Sequence, residues 1–222
     1  MSKSSARPTA HRFPTAVSAS PRGQRSGGEV RLIGGYWKRV KIKVADQPGL
    51  RPTPDRVRET LFNWLGQDLT GWQCVDAFAG TGALGLEAAS RGAQSVLLIE
   101  QDPAAAAQLH RVVAHLQALQ LPVGVAPCAL RVQRGDGLAV LSQLAPNSQN
   151  LILLDPPFAA SLFEAALQAA NRVLAPGGWV YLEAPAAWSD AQLAQWGLQV
   201  HRHLKAGAVH AHLLCRVSQA PA

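Results

Sequence analysis

Short apolar runs alternate with longer amphipathic stretches along the chain. One apolar run, Leu151-Ile152-Leu153-Leu154, leads directly into Asp155-Pro156-Pro157-Phe158. Four consecutive aliphatic residues indicate a strand that is buried on both faces, as in a parallel sheet. Because the prolines cannot continue the strand ladder, we expect Asp155 and Phe158 at its carboxyl end, where open α/β sheets bind ligands. A plain strand followed by a proline turn is the alternative.

Strand-like and helix-like stretches alternate from residue 53 to residue 196, which predicts an α/β protein. The predicted strands include residues 95–99, 129–132 and 179–183, and the predicted helices include residues 103–119, 162–174 and 187–196. The first helix has a clear beginning, because Thr53 can act as its N-cap and Pro54 suits the first helical position. Gly66 ends this helix, and Pro176-Gly177-Gly178 predicts a turn.

A glycine-containing turn follows the apolar strand that begins at Cys74. Its sequence is Asp76-Ala77-Phe78-Ala79-Gly80-Thr81-Gly82. Glycines allow a ligand to approach the backbone, and the helix that follows offers unpaired N–H groups. The spacing Gly80-x-Gly82-x-x-Gly85 matches the dinucleotide fingerprint. However, the carboxylate of Asp76 would repel a pyrophosphate and attract a cationic group.

Two further acids follow predicted strands. Glu100 comes after residues 95–99, about 20 residues beyond the glycine turn, which is the offset at which a carboxylate binds ribose hydroxyls. Asp136 lies between Gly135 and Gly137, just before a predicted helix. It is either a ligand-binding acid or the N-cap of that helix, and the residues alone do not distinguish the two.

The N-terminal part of the chain is basic. Residues 1–28 are rich in Ser, Pro and Gly, carry five Lys or Arg residues and contain no acid. This composition is typical of a disordered basic arm, which we expect to act as a loose electrostatic tether to nucleic acid. An acid-free leader rich in Arg and Ser is also typical of an organellar transit peptide.

Residues 29–47 alternate apolar and basic positions around Gly34-Gly35, which predicts a β-hairpin extension before a domain of residues 48–222. One hairpin face is cationic, and its aromatic pair can stack on an unpaired base. The alternative is that Trp37 packs the hairpin on the domain and that the lysines are only solvated. We favour nucleic-acid contact because the basic arm is adjacent. The candidate RNA-contacting residues are Arg31, Tyr36, Trp37, Lys38, Arg39, Lys41, Arg51 and Arg56.

Composition narrows the class of partner. The chain has 222 residues and a formal net charge of +7, with 48% hydrophobic and 16% charged residues, which excludes wholesale disorder. The positive charge favours a polyanion, although a membrane surface also attracts basic proteins. No apolar run approaches the roughly 20 residues of a membrane span. The three cysteines are far apart and form no Cys-x-x-Cys motif, which fits a reducing cytosol.

Alternating histidines mark the end of the chain, where residues 198–204 and 209–216 predict an antiparallel hairpin. A register that pairs His203 with His210 also pairs His201 with His212 and brings four imidazoles to one face. Zinc binding is one interpretation. We favour a solvated strand face and assign no metal, because no carboxylate orients the rings.

These motifs together resemble class I S-adenosylmethionine-dependent methyltransferases that modify exocyclic amino groups. The glycine turn, Glu100, Asp136 and Asp155-Pro156-Pro157-Phe158 carry this resemblance. Longer strings are similar to the RsmD-type enzymes, which methylate N2 of a guanine in small-subunit (16S) ribosomal RNA. These strings are Ile33-Gly34-Gly35-Tyr36-Trp37, Gly49-Leu50-Arg51-Pro52-Thr53, Asp55-Arg56-Val57-Arg58-Glu59-Thr60-Leu61-Phe62-Asn63-Trp64-Leu65 and Gly82-Ala83-Leu84-Gly85-Leu86-Glu87-Ala88.

The resemblance implies a Rossmann-like fold with a seven-stranded, mostly parallel sheet, a C-terminal antiparallel hairpin and a small N-terminal β-hairpin. It implies S-adenosylmethionine as the cofactor, with Glu100 at the ribose and Asp136 at the adenine. The residues it places around the methionine part are Asp76, Phe78, Ala79, Gly80 and Gly82. The chain differs from the usual family pattern in having Arg39-Val40 in place of Gly-Arg, and Val112 where Asn is common.

The catalytic residues implied by the resemblance are Asp155, Pro156, Pro157 and Phe158. Phe158 would stack on the base, while Asp155 and the Pro156 carbonyl would accept hydrogen bonds from the amine. We expect a monomeric, cytoplasmic enzyme that acts on ribosomal RNA in the small subunit or in an assembly intermediate.

Three alternatives share parts of this pattern. A DNA or other RNA amino-group methyltransferase, acting on adenine N6, has the same Asp-Pro-Pro-Phe edge. A protein glutamine methyltransferase usually has Asn in place of Asp155 and needs less basic charge. A non-catalytic RNA-binding module explains the charge but not the cofactor motifs.

Overall fold

The computed structural model describes residues 28–43, 53–158 and 161–217. The predicted basic arm, apart from Gly28, lies outside the described residues, and so does Arg51. The strands are β1 (Glu29–Arg31), β2 (Lys41–Lys43), β3 (Gln73–Asp76), β4 (Ser95–Glu100), β5 (Ala129–Arg134), β6 (Gln149–Leu154), β7 (Leu174–Ala184), β8 (Leu198–Ala206) and β9 (Val209–Arg216). The helices are α1 (Asp55–Trp64), α2 (Ala83–Ser90), α3 (Pro103–Gln117), α4 (Gly137–Gln143), α5 (Phe163–Val173) and α6 (Asp190–Leu193), and a 3₁₀ turn (Ala194–Trp196) follows α6.

One seven-stranded sheet forms the centre of the molecule, with the strand order β5-β4-β3-β6-β7-β9-β8. Strands β3 to β7 are parallel, β9 is antiparallel to β7, and β8 pairs with β9 as the C-terminal hairpin. Strands β1 and β2 form a separate antiparallel pair. The predicted fold class is therefore confirmed. The strand order reverses between β3 and β6, which is the point where open α/β sheets form a ligand crevice.

Two apolar layers bury the sheet on both faces. Helices α1, α2 and α3 pack on one face against Leu151 and Leu153, and α4, α5 and α6 pack on the other face against Ile152 and Leu154. All four aliphatic side chains are fully buried, as the apolar run predicts. Each such burial contributes roughly 1.5–3 kcal/mol, so β6 is anchored firmly beside the crevice. No helix within the described ranges is long and apolar enough to cross a membrane.

The loop between β1 and β2 docks on the end of α2. The backbone carbonyl of Ser90 accepts a hydrogen bond from the Tyr36 N–H (2.6 Å), and its hydroxyl donates to the Gly34 carbonyl (2.6 Å). A Cβ on Gly35, which has a φ of +68°, would lie 1.7 Å from the Ser90 carbonyl oxygen. The Gly34-Gly35 pair therefore serves the close approach to α2 and not the tight turn of a hairpin.

Two of the predicted local features are wrong. Pro54, and not Thr53, occupies the N-cap position of α1, and no side chain caps that helix. Thr53 lies one residue before the N-cap, and its hydroxyl donates a charge-assisted hydrogen bond to Glu183 Oε1 (2.8 Å). Pro176, Gly177 and Gly178 lie inside β7 rather than in a turn that precedes it, and the positive φ of Gly177 (+73°) absorbs an irregularity in the pairing with β6.

The predicted helix of residues 187–196 is also shorter than expected. Helix α6 begins at Asp190, because Ser189 is its N-cap and forms a reciprocal capping box with Gln192. A 3₁₀ turn then continues the segment to Trp196. Residues 185–188 are therefore free to form the loop that leads out of β7.

The predicted register of the C-terminal hairpin is wrong by two residues. His203 pairs with His212, because residues 207–208 form a two-residue turn that fixes the register of both strands. An irregularity between Val200 and Arg202 moves His201 out of the ladder. Its ring packs on Trp179, with 4.7 Å between the ring centroids.

Three imidazoles rather than four therefore lie together. The His203 ring stacks on His210 at 5.1 Å and on His212 at 4.7 Å between centroids. His212 is fully buried, and its Nε2 accepts a hydrogen bond from the backbone N–H of Trp188 (3.1 Å). Burial lowers the pKa of His212 to about 4, so this ring is neutral at pH 7. Within the described ranges, no group of three or more His, Cys, Asp or Glu side chains has the geometry to hold a metal ion.

Candidate active site

A cleft of about 630 Å³ lies at the carboxyl ends of the parallel strands, at the reversal of strand order. Its walls are the glycine turn after β3, the end of β4, the N-terminus of α4, the exit from β6 and the end of β7. All predicted cofactor and catalytic residues line it except Gly82. These lining residues are Asp76, Phe78, Ala79, Gly80, Glu100, Asp136, Asp155, Pro156, Pro157 and Phe158.

The glycines of the turn have different tasks. Gly80 lines the cleft, and its φ of +50° lies in the left-handed region that favours glycine. Gly82 has a φ of +78° and is covered by α3, since a Cβ there would lie 2.6 Å from Leu109. A Cβ on Gly85 would lie 2.3 Å from Leu98 in β4. The fingerprint spacing therefore combines one position at the cleft with two positions of close packing.

Asp76 is the most deeply buried acid of the cleft, with 1% of its surface exposed. Its Oδ2 accepts a hydrogen bond from the Gly85 N–H (3.0 Å), whereas its buried Oδ1 has no hydrogen-bond partner among the described residues. Burial raises the pKa of Asp76 to about 7, and the negative charges of Glu100 and Glu183 contribute to the increase. A buried oxygen of this kind is costly unless a donor or a cation reaches it.

Asp155 and Glu183 lie side by side next to Asp76. Strands β6 and β7 pair Leu154 with Leu182, and the two acids are the next residue of each strand. Burial raises the pKa of Asp155 well above its usual range, and the charges of Glu183 and Asp76 raise it further. We call Asp76, Asp155 and Glu183 the cleft acids.

Among the described residues of the cleft wall, no cation compensates the cleft acids. Five acids and no Lys, Arg or His are found among the described residues that line it. These five are the three cleft acids together with Glu100 and Asp136. A site of this charge attracts a cationic ligand and repels phosphate.

Glu183 is a site residue that the sequence analysis misses. It is 4% exposed, and its Oε1 accepts hydrogen bonds from the Tyr181 hydroxyl and the Thr53 hydroxyl, each at 2.8 Å. Burial raises the pKa of Glu183, and these two hydrogen bonds oppose the increase. A signal was available in the sequence, because Glu183 ends a predicted parallel strand as Asp76 ends another.

Glu100 fixes the glycine turn to the end of β4. Its Oε2 accepts a hydrogen bond from the Gly80 N–H (2.8 Å), and its Oε1 accepts one from the Asp102 N–H (2.7 Å). The side chain is only partly buried and lines the cleft. Since a carboxylate oxygen can accept more than one hydrogen bond, both oxygens can also accept from ligand hydroxyls.

Asp136 combines the two interpretations that the sequence leaves open. Its side chain caps α4 by accepting a hydrogen bond from the Ala139 N–H (2.8 Å), and it also lines the cleft. Gly137 lets the start of α4 approach the end of β3, because a Cβ there would lie 2.1 Å from the Ala77 carbonyl oxygen. The N-terminus of α4 is thereby held at the cleft wall.

The exit from β6 presents an aromatic ring at the rim of the cleft. Pro156 is buried, Pro157 is exposed, and Phe158 is 39% exposed. The ring of Phe158 is supported on one side by Phe163, at 6.4 Å between centroids. A partly exposed and supported ring is suited to stacking on a flat ligand.

Not all of the candidate RNA-contacting residues are exposed and free of ion pairs in the structure. Trp37 is 6% exposed and packs in the apolar core, so the expectation that it stacks on a base is wrong. Tyr36 is 43% exposed and remains a candidate. Lys41 forms an ion pair with Glu29 (2.8 Å), and Arg31 forms one with Asp55 (3.3 Å). The remaining described candidates, Lys38, Arg39 and Arg56, are exposed.

Comparison with known proteins identifies the family. A family model described as "Conserved hypothetical protein 95" matches residues 30–215. The chain is 41% identical over 199 residues to "Ribosomal RNA small subunit methyltransferase D" of Escherichia coli strain K12, and the match covers 86% of this chain and 92% of that protein. The chain belongs to this methyltransferase family.

Other members and structures extend the comparison. The methyltransferase D of Haemophilus influenzae is 41% identical over 161 residues, which cover 70% of this chain and 79% of that protein. The solved structure of Escherichia coli yhhF has a TM-score of 0.68 at 37% identity and covers 86% of this chain and 100% of that chain. Trm1 from Pyrococcus horikoshii, in complex with S-adenosyl-L-methionine, has a TM-score of 0.60 at 16% identity, covers 84% of this chain and 60% of that chain, and shares the fold.

Proposed function

We propose that this methyltransferase transfers a methyl group from S-adenosylmethionine to N2 of a guanine in small-subunit (16S) ribosomal RNA. The observation that carries the proposal is the cleft lined by five acids and no basic residue in the described part of the chain. A pyrophosphate would be repelled there, whereas a ligand with a sulfonium and an ammonium group would be attracted. The name of the relatives supports ribosomal RNA as the acceptor.

The cleft residues fit this cofactor. The buried Oδ1 of Asp76, which has no partner among the described residues, suits the ammonium group of the methionine part. The half-buried carboxylate of Glu100 suits the two ribose hydroxyls, and Asp136, which lines the cleft, suits the adenine. When bound, S-adenosylmethionine supplies an electrophilic methyl group on a positively charged sulfur.

The residues at the exit from β6 orient the acceptor. An exocyclic amine is a poor nucleophile, because its lone pair is delocalised into the ring. Phe158 stacks on the base, while Asp155 and the Pro156 carbonyl accept hydrogen bonds from the amine and turn its lone pair towards the methyl group. Orientation of this kind can contribute about 7–11 kcal/mol to the acceleration.

Asp155 also provides a place for the proton that the amine loses. The nitrogen becomes acidic once the methyl group is attached, so no strong base is needed before transfer. Burial and the neighbouring acids raise the pKa of Asp155, which makes it a better proton acceptor than an exposed carboxylate. The target base has to be unpaired or turned out of its helix to reach this depth.

Exposed aromatic and basic residues near the N-terminus are candidates for RNA contact. Tyr36, Lys38, Arg39 and Arg56 are exposed on the described surface, and Arg31 and Lys41 can exchange their surface ion pairs for phosphates, because such pairs are weak. We propose that this surface holds the RNA backbone of a small subunit or an assembly intermediate. The proposal includes a monomer that works in the cytoplasm, where ribosomal particles are made.

The test is methyl transfer from labelled S-adenosylmethionine to four acceptors: assembled small subunits, partly assembled particles, naked 16S ribosomal RNA and duplex DNA. Nucleosides from each acceptor are then separated. We expect N2-methylguanosine in ribosomal RNA, and its position gives the target. Label in DNA, in N6-methyladenosine or in a glutamine of a ribosomal protein would contradict the proposal.

A further inference from the structure

Glu183 has no part in the chemistry described so far, although it lies next to Asp155 in the same cleft. Asp155 alone does not distinguish the purines, because an exocyclic amine occurs in both adenine and guanine. The pairing of Leu154 with Leu182 sets Glu183 and Asp155 at the same level of neighbouring strands. Side chains at such positions are separated by roughly 5 Å at their Cβ atoms, so one planar ligand can touch both carboxylates.

Guanine and adenine differ at the ring nitrogen beside the amine. In guanine, N1 carries a hydrogen and is adjacent to the 2-amino group, so this edge presents two neighbouring N–H donors. In adenine, N1 is an acceptor beside the 6-amino group. Two carboxylates match two donors, whereas a carboxylate opposite the N1 lone pair of adenine leaves a buried charge without a partner, which costs binding free energy.

We propose that Glu183 selects guanine by accepting a hydrogen bond from N1–H while Asp155 accepts from the 2-amino group. This inference rests on the proposed function and adds the basis of its base specificity. Glu183 is thus a specificity-determining residue that touches the substrate, and Asp155 is the residue that touches the reacting amine.

The surroundings of Glu183 suit an acceptor that is held in place. The Tyr181 and Thr53 hydroxyls both donate to Oε1 (2.8 Å each), so they fix the plane of the carboxylate without using Oε2. Both donors favour the ionised form against the effect of burial. The N1–H of guanine adds a third donor that favours the ionised form, and an ionised carboxylate can only accept hydrogen bonds. It therefore has no donor for the N1 lone pair of adenine.

The test uses a base that keeps the reacting amine and removes the N1 hydrogen. Small subunits are reconstituted with 16S ribosomal RNA that carries guanine, 2-aminopurine or 2,6-diaminopurine at the methylated position. For the wild type, we expect kcat/KM with guanine to exceed kcat/KM with either analogue by about tenfold, since hydrogen bonds to a base edge discriminate between bases to about this extent. Equal methylation of guanine and 2-aminopurine would overturn the inference, and this comparison needs no variant.

The variant Glu183→Gln sharpens the test, because an amide can donate to N1 of the analogues as well as accept from guanine. The ratio of kcat/KM between guanine and 2-aminopurine should fall by about tenfold. A loss of stability lowers both rates and does not change this ratio. Glu59→Gln, the same change at an exposed position of α1, should keep the wild-type ratio, and an unchanged ratio in Glu183→Gln would contradict the role of Glu183.

The two proposals fail in different ways. A wild-type enzyme that methylates no guanine in any particle overturns the proposed function, and the inference fails with it. A wild-type enzyme that methylates guanine and does not discriminate against 2-aminopurine overturns the inference alone.

Discussion

Glu87 and the cleft acids have opposite surroundings. Glu87, in the middle of α2, is fully buried and lies 3.5 Å from the Arg58 guanidinium and 2.9 Å from that of Arg91. It also accepts a hydrogen bond from the backbone N–H of Ile33 (2.8 Å). We call Glu87, Arg58 and Arg91 the Glu87 network. The cleft acids line the cleft beside the N-terminus of α2. No basic residue is found among the described residues of that cleft wall.

The difference separates a structural charge cluster from a binding site. The Glu87 network ties α1, α2 and the loop after β1 together, and Arg58 also donates to the Arg31 carbonyl (3.0 Å). Its charges are compensated within the protein. Burial raises the pKa values of the cleft acids, and neighbouring negative charges raise those of Asp76 and Asp155 further. Acids of this second kind indicate a ligand that brings the missing positive charge.

Breaking the Glu87 network should have the largest effect on stability. Glu87→Ala leaves the buried Arg91 guanidinium without a carboxylate and the buried Arg58 guanidinium with Asp55 alone (2.6 Å), so we expect the free energy of unfolding to fall by about 3–5 kcal/mol. Denaturant unfolding measures this change. Glu59→Ala, at an exposed site of α1, should change the same quantity by less than about 0.5 kcal/mol. Equal effects of the two variants would remove the distinction between the two acid groups.

Asp155→Ala should affect the reaction and not the fold. Removal of the acceptor leaves the amine without orientation, and we expect kcat to fall by at least about 100-fold. The dissociation constant of S-adenosylmethionine should stay within about threefold of the wild type, because Asp155 contacts the acceptor base in this account. A labelled-methyl assay together with calorimetry measures both. Retained turnover would refute the role given to Asp155.

Glu100→Ala should weaken cofactor binding. Hydrogen bonds to a charged group are worth about 1.5–3 kcal/mol, so we expect the dissociation constant of S-adenosylmethionine to rise by roughly 10- to 100-fold. The glycine turn loses the acceptor of the Gly80 N–H as well. Glu100→Gln keeps one acceptor oxygen and should have a smaller effect. An unchanged dissociation constant in Glu100→Ala would argue against contact with the ribose.

The smallest predicted effect concerns Arg39, which has a φ of +74°, in the left-handed region that favours glycine. A left-handed conformation costs a residue with a side chain roughly 1–2 kcal/mol. Arg39→Gly and Arg39→Ala remove the same cation, but only glycine removes this strain. We expect the glycine variant to be more stable than the alanine variant by about 1 kcal/mol in denaturant unfolding. Equal stability would show that the backbone is not strained there.

The sequence predicts the fold and most of the cleft because both follow from local patterns. The apolar run before Asp155 specifies a buried strand, and parallel strands place the acids that end them at one edge. Asp76, Glu100 and Asp155 are found in this way. Glu183 obeys the same rule at the end of β7.

Other features depend on contacts between distant parts of the chain. The burial of Trp37 depends on docking against α2, where the backbone N–H of Trp37 donates to the Ser90 hydroxyl (2.9 Å). That contact requires the tertiary fold and is not visible in the alternation of apolar and basic residues. The histidine register depends on the two-residue turn at 207–208 and on the irregularity near residue 201. A shift of this kind changes every cross-strand pair.

In this account Asp76 receives its compensating charge from the cofactor, and proton release on binding tests this central claim most directly. At pH 6 an amino group of the cofactor is protonated, and Asp76, with a pKa of about 7, is mostly protonated as well. A cation beside Asp76 favours the ionised form and lowers its pKa, so binding should release protons to the buffer. Titration calorimetry of S-adenosylmethionine at pH 6, in buffers with different enthalpies of ionisation, measures this release. We expect net proton release in the wild type and a smaller release in Asp76→Asn, and binding without proton exchange would contradict the account.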